Sequence, residues 1–195
     1  MTAQQFFTQS LYQGEHIQLT AVDVDADPVV EAPWWLDLDY AQLAEGMEPT
    51  SKSAAELKKY YREALKEAEE KRESFIFAIR RKGENALLGM LRIKEVIWVC
   101  GAARLVISMP ANSAGSPFLP EVINLALRYI FDELSLFRIT VDLAEYNPTI
   151  KDYEAAGFVR EVTFRQYRYR DGHLWNVYLY GMLETEYRAC VGGAA

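Results

Sequence analysis

Apolar and polar residues alternate in seven stretches of this chain, and each stretch predicts a β-strand. The strands are expected at residues 16–22, 75–80, 87–99, 103–109, 137–143, 158–169 and 174–183. The alternation slips near 94–96, which predicts a β-bulge there. Gly101 turns the third strand into the fourth, so the second to fourth strands form an antiparallel meander, and Asp171 with Gly172 marks a tight hairpin between the last two strands.

Helical spacing of apolar residues predicts four helical regions between these strands. Ser53 and Glu56 form a capping box at the start of a long helix. Residues 121–134 are apolar nearly all round, which is typical of a helix buried against a sheet. One or two short helices are expected within 28–46, and another within 147–157.

The order of these elements predicts an α+β fold with α/β/α layers. Its centre is a mixed, mostly antiparallel sheet of about seven strands flanked by helices. The strand 137–143 follows a helical crossover, so we expect it to run parallel to 103–109. Residues 1–188 are expected to form a single domain and 189–195 a flexible tail.

Composition narrows the choice of partners. The chain has 195 residues and a formal net charge of -7, which argues against a nucleic acid or an anionic membrane as its main ligand and is compatible with an amine substrate. Cys100 and Cys190 have no metal-type spacing and are interpreted as reduced thiols. The N-terminus lacks the pattern of a signal peptide, and a cytoplasmic location is therefore predicted.

The segment 103–134 combines a buried strand, a loop and an apolar helix. A strand that leads into a helix N-terminus is a potential anion site, because free N–H groups and the positive end of the helix dipole point the same way. Pro117 and Pro120 lie in this loop, and proline has no N–H to donate.

Several short patches, taken together, resemble a known family. They are Gly14 with Ile17–Leu19 and Asp23, the pair Leu88-Gly89, LRYIFDEL at 127–134, YEAAGF at 153–158, and YGML at 180–183 followed by Glu186. In this order and spacing, residues 12–188 resemble the GNAT superfamily of acyl-CoA-dependent N-acetyltransferases. The most similar branch is that of the ribosomal-protein N-terminal acetyltransferases.

The resemblance implies that acetyl-CoA is the co-substrate and that the segment 103–134 binds it. The implied cofactor-binding residues are Val106, Ile107 and Ser108 on the strand edge, Ser113, Gly115 and Ser116 in the loop, and Asn147. A helix N-cap explains Asn147 equally well. Pro117 falls where the family has its second loop glycine, so a weakened or re-routed CoA site is predicted.

The implied reaction is direct attack of a primary amine, from a small molecule or a peptide, on the thioester. Tyr153, in YEAAGF, matches the family's general acid, and its phenol is basic enough to hold the proton that a thiolate needs. A packed aromatic on a short helix is the alternative for Tyr153. Glu95, near the bulge, is the predicted general base, with Asp142 and Glu145 as further candidates.

Two other interpretations stay open at this stage. One is a catalytically silent GNAT fold that binds a ligand or partner, which is expected if Pro117 or Phe118 plugs the cofactor cleft. The other is a homodimer that forms through exposed aromatic residues or through the two long C-terminal strands. The adjacent Trp34 and Trp35 cannot both face a core, so one of them is expected at a cleft, at a subunit contact or only partly buried.

Overall fold

The computed structural model describes residues 12–45, 50–110 and 118–192, without the side chains of 43–45. In this part of the chain, seven strands form one sheet in the order β1-β2-β3-β4-β5-β7-β6. The strands are β1 (Ile17–Thr20), β2 (Phe75–Arg81), β3 (Leu87–Ile97), β4 (Ala102–Ser108), β5 (Arg138–Ala144), β6 (Val159–Arg170) and β7 (His173–Leu183). All neighbours are antiparallel except β4 and β5. The predicted fold class and the parallel pair are thus confirmed.

The bulge predicted on the third strand is present. The register between β3 and β4 shifts between Lys94 and Ile97, and Glu95 has φ of 55°. A positive φ is uncommon for a residue with a side chain, so the bulge turns this part of the strand away from regular pairing. It lies at the end of β3 that is next to the start of β4.

One face of the sheet is covered by a helix and its continuation. Helix α4 (Phe118–Arg128) runs into a wider, π-helical turn over Tyr129–Glu133. Its buried residues pack on inward-facing residues of the central strands to form the main core. The helix begins at Phe118 and not at Glu121, so Pro120 lies in its first turn. Proline is tolerated there because the first N–H groups of a helix have no intrahelical acceptor.

The opposite face of β2, β3 and β4 carries the helices that precede β2. They are α1 (Asp27–Glu31), a 3₁₀ turn (Ala32–Leu36), α2 (Leu38–Glu45) and α3 (Ala54–Lys71). The predicted capping box is present at the start of α3. Trp35 is buried in a second core cluster and Trp34 is half-buried, so the adjacent tryptophans do differ in burial.

After β5, helix α5 (Ile150–Ala155) leads into the β6–β7 hairpin, and α6 (Glu184–Gly192) follows β7. The boundary predicted after residue 188 falls inside α6. Ile139, Val141 and Leu143 face the core as their alternation predicts, but Phe137 is 66% exposed. Phe137, the first residue of the predicted strand 137–143, does not share their face, because β5 begins one residue later and Phe137 belongs to the preceding turn.

Candidate active site

The parallel strands β4 and β5 separate after three paired residues. Ala102–Arg104 pair with Arg138–Thr140, and no further pair joins the two strands in the described ladder. On its other side β4 stays paired with β3 as far as Ser108, and β5 stays paired with β7 as far as Ala144. The peptide groups of β4 that face β5 beyond Arg104 are therefore left without a strand partner.

A cavity fills this gap. Its walls are residues 104–107 of β4 and 141–144 of β5, and the remaining lining residues are Gln42, Lys94, Asn147, Tyr153 and Arg168. Four of the predicted site residues line it: Val106, Ile107, Asn147 and Tyr153. Ser108 and Glu95 do not line it, and Ser113, Gly115, Ser116 and Pro117 lie outside the described residues. The structure thus brings together the strand-edge, helix-start and tyrosine candidates.

Tyr153 reaches the cavity from α5. Its side chain is 3% exposed, and its ring packs edge-on against Phe158 with centroids 5.5 Å apart. Burial raises the pKa of the phenol well above its ordinary value, with Asp152 adding to the shift. Within the described part of the chain the hydroxyl has no hydrogen-bond partner. Tyr153 is therefore a neutral phenol that lines the cavity, and its hydroxyl forms no hydrogen bond with another described residue.

Asn147 shapes the turn before α5. Its Oδ1 accepts hydrogen bonds from the backbone N–H of Thr149 at 2.9 Å and from the Thr149 hydroxyl at 2.7 Å. The helix begins at Ile150 and its N-cap residue is Thr149, so Asn147 forms an Asx turn two residues before the cap and is not itself the N-cap. Its side-chain nitrogen remains a potential donor to the cavity.

The three carboxylates considered as general bases occupy different positions. Asp142 lines the cavity. The side chain of Glu95 is 65% exposed and lies 3.6 Å from Arg104, which does line it. Glu145 is exposed, and the hydrogen bond from the Tyr178 hydroxyl at 2.7 Å helps to lower the pKa of its carboxyl.

Ser108 lies at the far end of β4, completely buried, and its hydroxyl has no hydrogen-bond partner. It is paired with Met90 of β3. A side chain at residue 89 would collide with the Ser108 carbonyl oxygen, since a Cβ there would come within 2.4 Å of it. Gly89 thus permits the close approach of β3 to the strand that forms the cavity wall.

Sequence reasoning missed the charged groups that line the cavity: Lys94, Arg104 and Arg168. Arg104 lies two residues before the predicted Val106 on β4 and on the same face of the strand. The predicted strand 103–109 therefore already included this arginine. Only the register of β4 on β5 shows that this arginine faces Asp142, because Arg104 is directly opposite Thr140. Phe118, considered as a plug, does not line the cavity, and its ring lies 5.3 Å from the Arg81 guanidinium.

Comparison with known proteins identifies the family. The family described as "Acetyltransferase (GNAT) domain" matches residues 17–159, and this chain belongs to it. Its relatives include a spermidine N(1)-acetyltransferase of Vibrio cholerae serotype O1 (strain ATCC 39315 / El Tor Inaba N16961), which is 27% identical over 68% of this chain and 74% of the relative. They also include an uncharacterized N-acetyltransferase, p20, of Bacillus licheniformis, which is 28% identical over 57% of this chain. The latter match spans 63%, a little under two thirds, of p20.

A solved structure has the same fold. It is a spermidine N-acetyltransferase from Vibrio cholerae in complex with CoA and spermine, with a TM-score of 0.76, 23% sequence identity, and coverage of 88% of this chain and 97% of that one. Membership of the family confirms the predicted class, an N-acetyltransferase that uses acetyl-CoA and acts on an amine. The catalytically silent alternative is not favoured by these relatives. No helix in the described ranges is long and apolar enough to span a membrane.

Proposed function

We propose that this chain transfers the acetyl group of acetyl-CoA to a primary amine by direct attack, at the cavity between β4 and β5. One observation carries the proposal: the two parallel strands separate after Arg104 and Thr140, which leaves a cavity that is lined by the buried Tyr153. A ligand that adds peptide-like groups to the edge of β4 would restore the hydrogen bonds that β5 no longer makes.

The residues present suit a pantetheine chain. Such a chain is narrow and contains amide groups, and β4 offers unpaired peptide groups beside the half-buried Val106 and the apolar Ile107. When bound, acetyl-CoA supplies an activated thioester. The chain's own residues are then proposed to orient the thioester and to move protons around it.

The proton steps are assigned to two residues. A phenol is protonated at neutral pH even at its ordinary pKa, and burial raises the pKa of Tyr153 further. We propose that Tyr153 donates this proton to the thiolate as the carbon–sulfur bond breaks, and that the resulting phenolate is reprotonated from solvent after the thiol leaves. Glu95 remains the proposed general base. It is exposed to water and lies beside Arg104, so a water molecule would have to carry the amine proton to it.

The pyrophosphate loop decides how tightly acetyl-CoA binds. Ser113, Gly115 and Ser116 remain the proposed donors to the phosphates, with Asn147 near the thioester end. Pro117 and Pro120 lack N–H groups, and each hydrogen bond lost to a charged group would cost about 1.5–3 kcal/mol. We therefore expect weakened acetyl-CoA binding, and calorimetric titration that gives low-micromolar affinity would contradict this expectation.

The acceptor is proposed to be the amine of a small molecule or a peptide. The Vibrio cholerae relative is named for acetylation of spermidine, which makes polyamines one group to test. The branch of ribosomal-protein N-terminal acetyltransferases makes the N-terminal amine of a peptide the other group. Lys94, Arg104 and Arg168 line the cavity beside a single carboxylate among the described residues, and this charge balance is less suited to a polycation than to a peptide.

The test is a thiol-release assay with acetyl-CoA over a panel of polyamines, small amines and peptides. A cavity-filling variant, Val106→Trp, is compared with Val99→Trp, because Val99 lies in the β3–β4 turn and is 93% exposed. We expect Val106→Trp to abolish acetyl-CoA binding and thiol release while Val99→Trp retains both. Equal activity of the two variants would place the reaction elsewhere.

A homodimer is also proposed, with a second copy of this chain on the β6–β7 hairpin. Strand β6 is an edge strand of 12 residues with exposed apolar side chains at Val159, Val162, Phe164 and Tyr167. The rings of Phe164 and Tyr167 contact each other at 5.4 Å, so they form one continuous patch. Long, exposed edge strands are prone to pair with another chain.

Light scattering after size exclusion tests the dimer. Phe164→Asp should convert a dimer to a monomer, whereas the control Val99→Asp should not. A monomeric wild-type protein would rule the dimer out. The cytoplasmic location also stays a proposal, and it fits the two free, exposed cysteines, Cys100 and Cys190.

A further inference from the structure

An ion pair joins the two strands at the point where they separate. The guanidinium of Arg104 on β4 lies 2.5 Å from a carboxylate oxygen of Asp142 on β5. Arg104 is the last residue of β4 that pairs with β5, and Asp142 lies two residues beyond its last paired residue, Thr140. The contact therefore crosses the inner end of the cavity diagonally.

Both side chains lie on the same face of the sheet. Arg104 is directly opposite Thr140, paired residues share a face, and residues two apart along a strand also share it. Asp142 thus continues the face on which Arg104 projects. The hydroxyl of Thr140 is 3.4 Å from the carbonyl oxygen of Ala103. Beyond this weak contact the backbone pairing of β4 and β5 has ended, and the ion pair links the two strands there.

Arg104 and Asp142 interact mainly with each other. Asp142 contacts no other charged group among the described residues. Arg104 has a second, longer contact with Glu95 at 3.6 Å, and its Nε is buried without a hydrogen-bond partner. The side chains of Arg104 and Asp142 are only 35% and 24% exposed. Water therefore screens the pair less than it screens an ion pair on an open surface.

We propose that Arg104 and Asp142 are positioning residues, which set the separation of β4 and β5 at the inner end of the cavity and so hold the thioester where the amine can attack it. This inference rests on the proposed function of the cavity. Its physical basis is that β4 and β5 are each held from their outer sides by β3 and β7 but share no ladder beyond Arg104 and Thr140, so the ion pair is a direct link across the gap between them. A shift of about 1 Å between reacting groups can lower a rate by about 100-fold.

A different role for Asp142 makes different predictions. If Asp142 were the general base, Asp142→Asn would abolish the reaction whether or not Arg104 is present, and the acidic limb of the pH–rate profile would disappear. If the pair acts as a spacer, removing either partner has the same consequence, and removing both adds little. The pH–rate profile of Asp142→Asn then keeps its shape. In Arg104→Met the acidic limb moves to higher pH, because this variant also removes the positive charge 3.6 Å from Glu95, the proposed general base.

The experiment compares Arg104→Met, Asp142→Asn and the double variant with the wild-type chain. Calorimetry with CoA and acetyl-CoA gives the affinity, and steady-state kinetics give kcat and KM for acetyl-CoA across pH. We expect each single variant to bind CoA about 2- to 5-fold more weakly, as suits a partly exposed ion pair. We expect kcat/KM to fall about 10- to 100-fold, and the double variant to resemble the worse single variant.

Matched controls use the Arg188–Asp132 pair. Its partners lie on α6 and on the π-helical turn, and neither lines the cavity. Arg188→Met and Asp132→Asn should leave CoA affinity and the pH profile unchanged. Arg104→Lys should recover part of the lost affinity, since it restores a positive charge opposite Asp142.

Three results would overturn the inference. They are losses that add up in the double variant, a loss confined to Asp142→Asn with a changed pH profile, and unchanged affinity and kinetics in both single variants. A wild-type chain that binds no CoA would instead contradict the proposed function, so the two failures can be distinguished.

Discussion

Two carboxylates on the same side of the sheet show how differently one fold uses a buried or half-buried charge. Glu31 of α1 is fully buried, and its oxygens accept hydrogen bonds from the Trp35 indole at 3.1 Å, the Tyr40 hydroxyl at 2.9 Å and the Tyr61 hydroxyl at 2.5 Å. The guanidinium of Arg92 is 3.7 Å away. Asp142, by contrast, has one charged partner and lies beside a cavity.

The different surroundings of Glu31 and Asp142 indicate a structural role for the first carboxylate and a role at the site for the second. The hydrogen-bond donors to Glu31 come from the 3₁₀ turn, α2 and α3, and Arg92 adds a charge from β3. Both carboxylate oxygens are thus engaged, and the cluster holds the helices on the sheet at a position closed to solvent. The Nε of Arg104 and the hydroxyl of Tyr153 have no hydrogen-bond partner among the described residues, which would be costly in a closed core. A site that must bind and release a ligand keeps such groups available.

The largest expected effect comes from breaking the buried cluster around Glu31. Glu31→Ala removes the carboxylate beside the buried Arg92 and the acceptor for three donors, so unfolding should become easier by about 3–5 kcal/mol. The melting temperature should fall by about 10 °C. Thermal denaturation measures this. Glu63→Ala, which removes an exposed partner of Lys59, should have little effect, and equal melting temperatures for both variants would contradict the structural role of Glu31.

The second effect concerns Tyr153, which lines the cavity: removal of its hydroxyl should affect activity and not stability. Tyr153→Phe removes only a hydroxyl that has no partner in the described structure, so the melting temperature should hardly change. If Tyr153 is the general acid, kcat should fall at least about 100-fold, with CoA affinity retained. Thiol release and calorimetry test this against Tyr129→Phe, a buried tyrosine outside the cavity. Unchanged turnover would remove Tyr153 from the mechanism.

A third, smaller effect concerns alkaline stability. Burial raises the pKa of Tyr129 to about 12, and burial with a hydrogen bond to Glu154 raises the pKa of Tyr180 to about 12. Because the folded state keeps these protons while the unfolded chain loses them near pH 10, the stabilising contribution is complete below pH 10 and is lost as the pH rises towards 12. Unfolding midpoints measured across this range should fall, and Tyr129→Phe should make the fall shallower. A midpoint that stays level to pH 12 would refute this.

The smallest effect belongs to the capping box of α3. The Ser53 hydroxyl accepts the N–H of Glu56, and the Glu56 carboxylate accepts the N–H of Ser53 at 2.8 Å. Ser53→Ala should cost about 1 kcal/mol of stability. Denaturant unfolding should detect this loss, while kcat and KM stay at wild-type values. Lower activity in this variant would show that α3 contributes to the site after all.

Local patterns predicted most elements well because they depend on near neighbours. The capping box, the bulge near Glu95 and the Asp171-Gly172 hairpin are each encoded within a few residues. Helix α4 begins before its predicted start because Pro120, which lies near its N-terminus, is interpreted from the sequence as a loop residue. Proline is common both in loops and in the first turn of a helix. Phe137 was misassigned for a similar reason, since alternation continued into the turn that precedes β5.

The site was predictable only in part. Tyr153, Asn147, Val106 and Ile107 were found through a resemblance carried by short patches, and all four line the cavity. The charged lining residues have no comparable local signature. Arg104 belongs to the site because of its register on a strand that lies some forty residues further along the chain.

The sequence by itself determined the strands, the buried helix and the family, because hydrophobic periodicity and short motifs are properties of consecutive residues. Only the tertiary structure decided where β4 and β5 separate. It also decided that Glu31 is buried among hydrogen-bond donors while Asp142 lines the cavity. Those outcomes depend on pairing between distant segments, whose partners no local pattern names. Glu31 and Asp142 look alike as acidic residues in the sequence, and their different neighbours in the fold give them different roles.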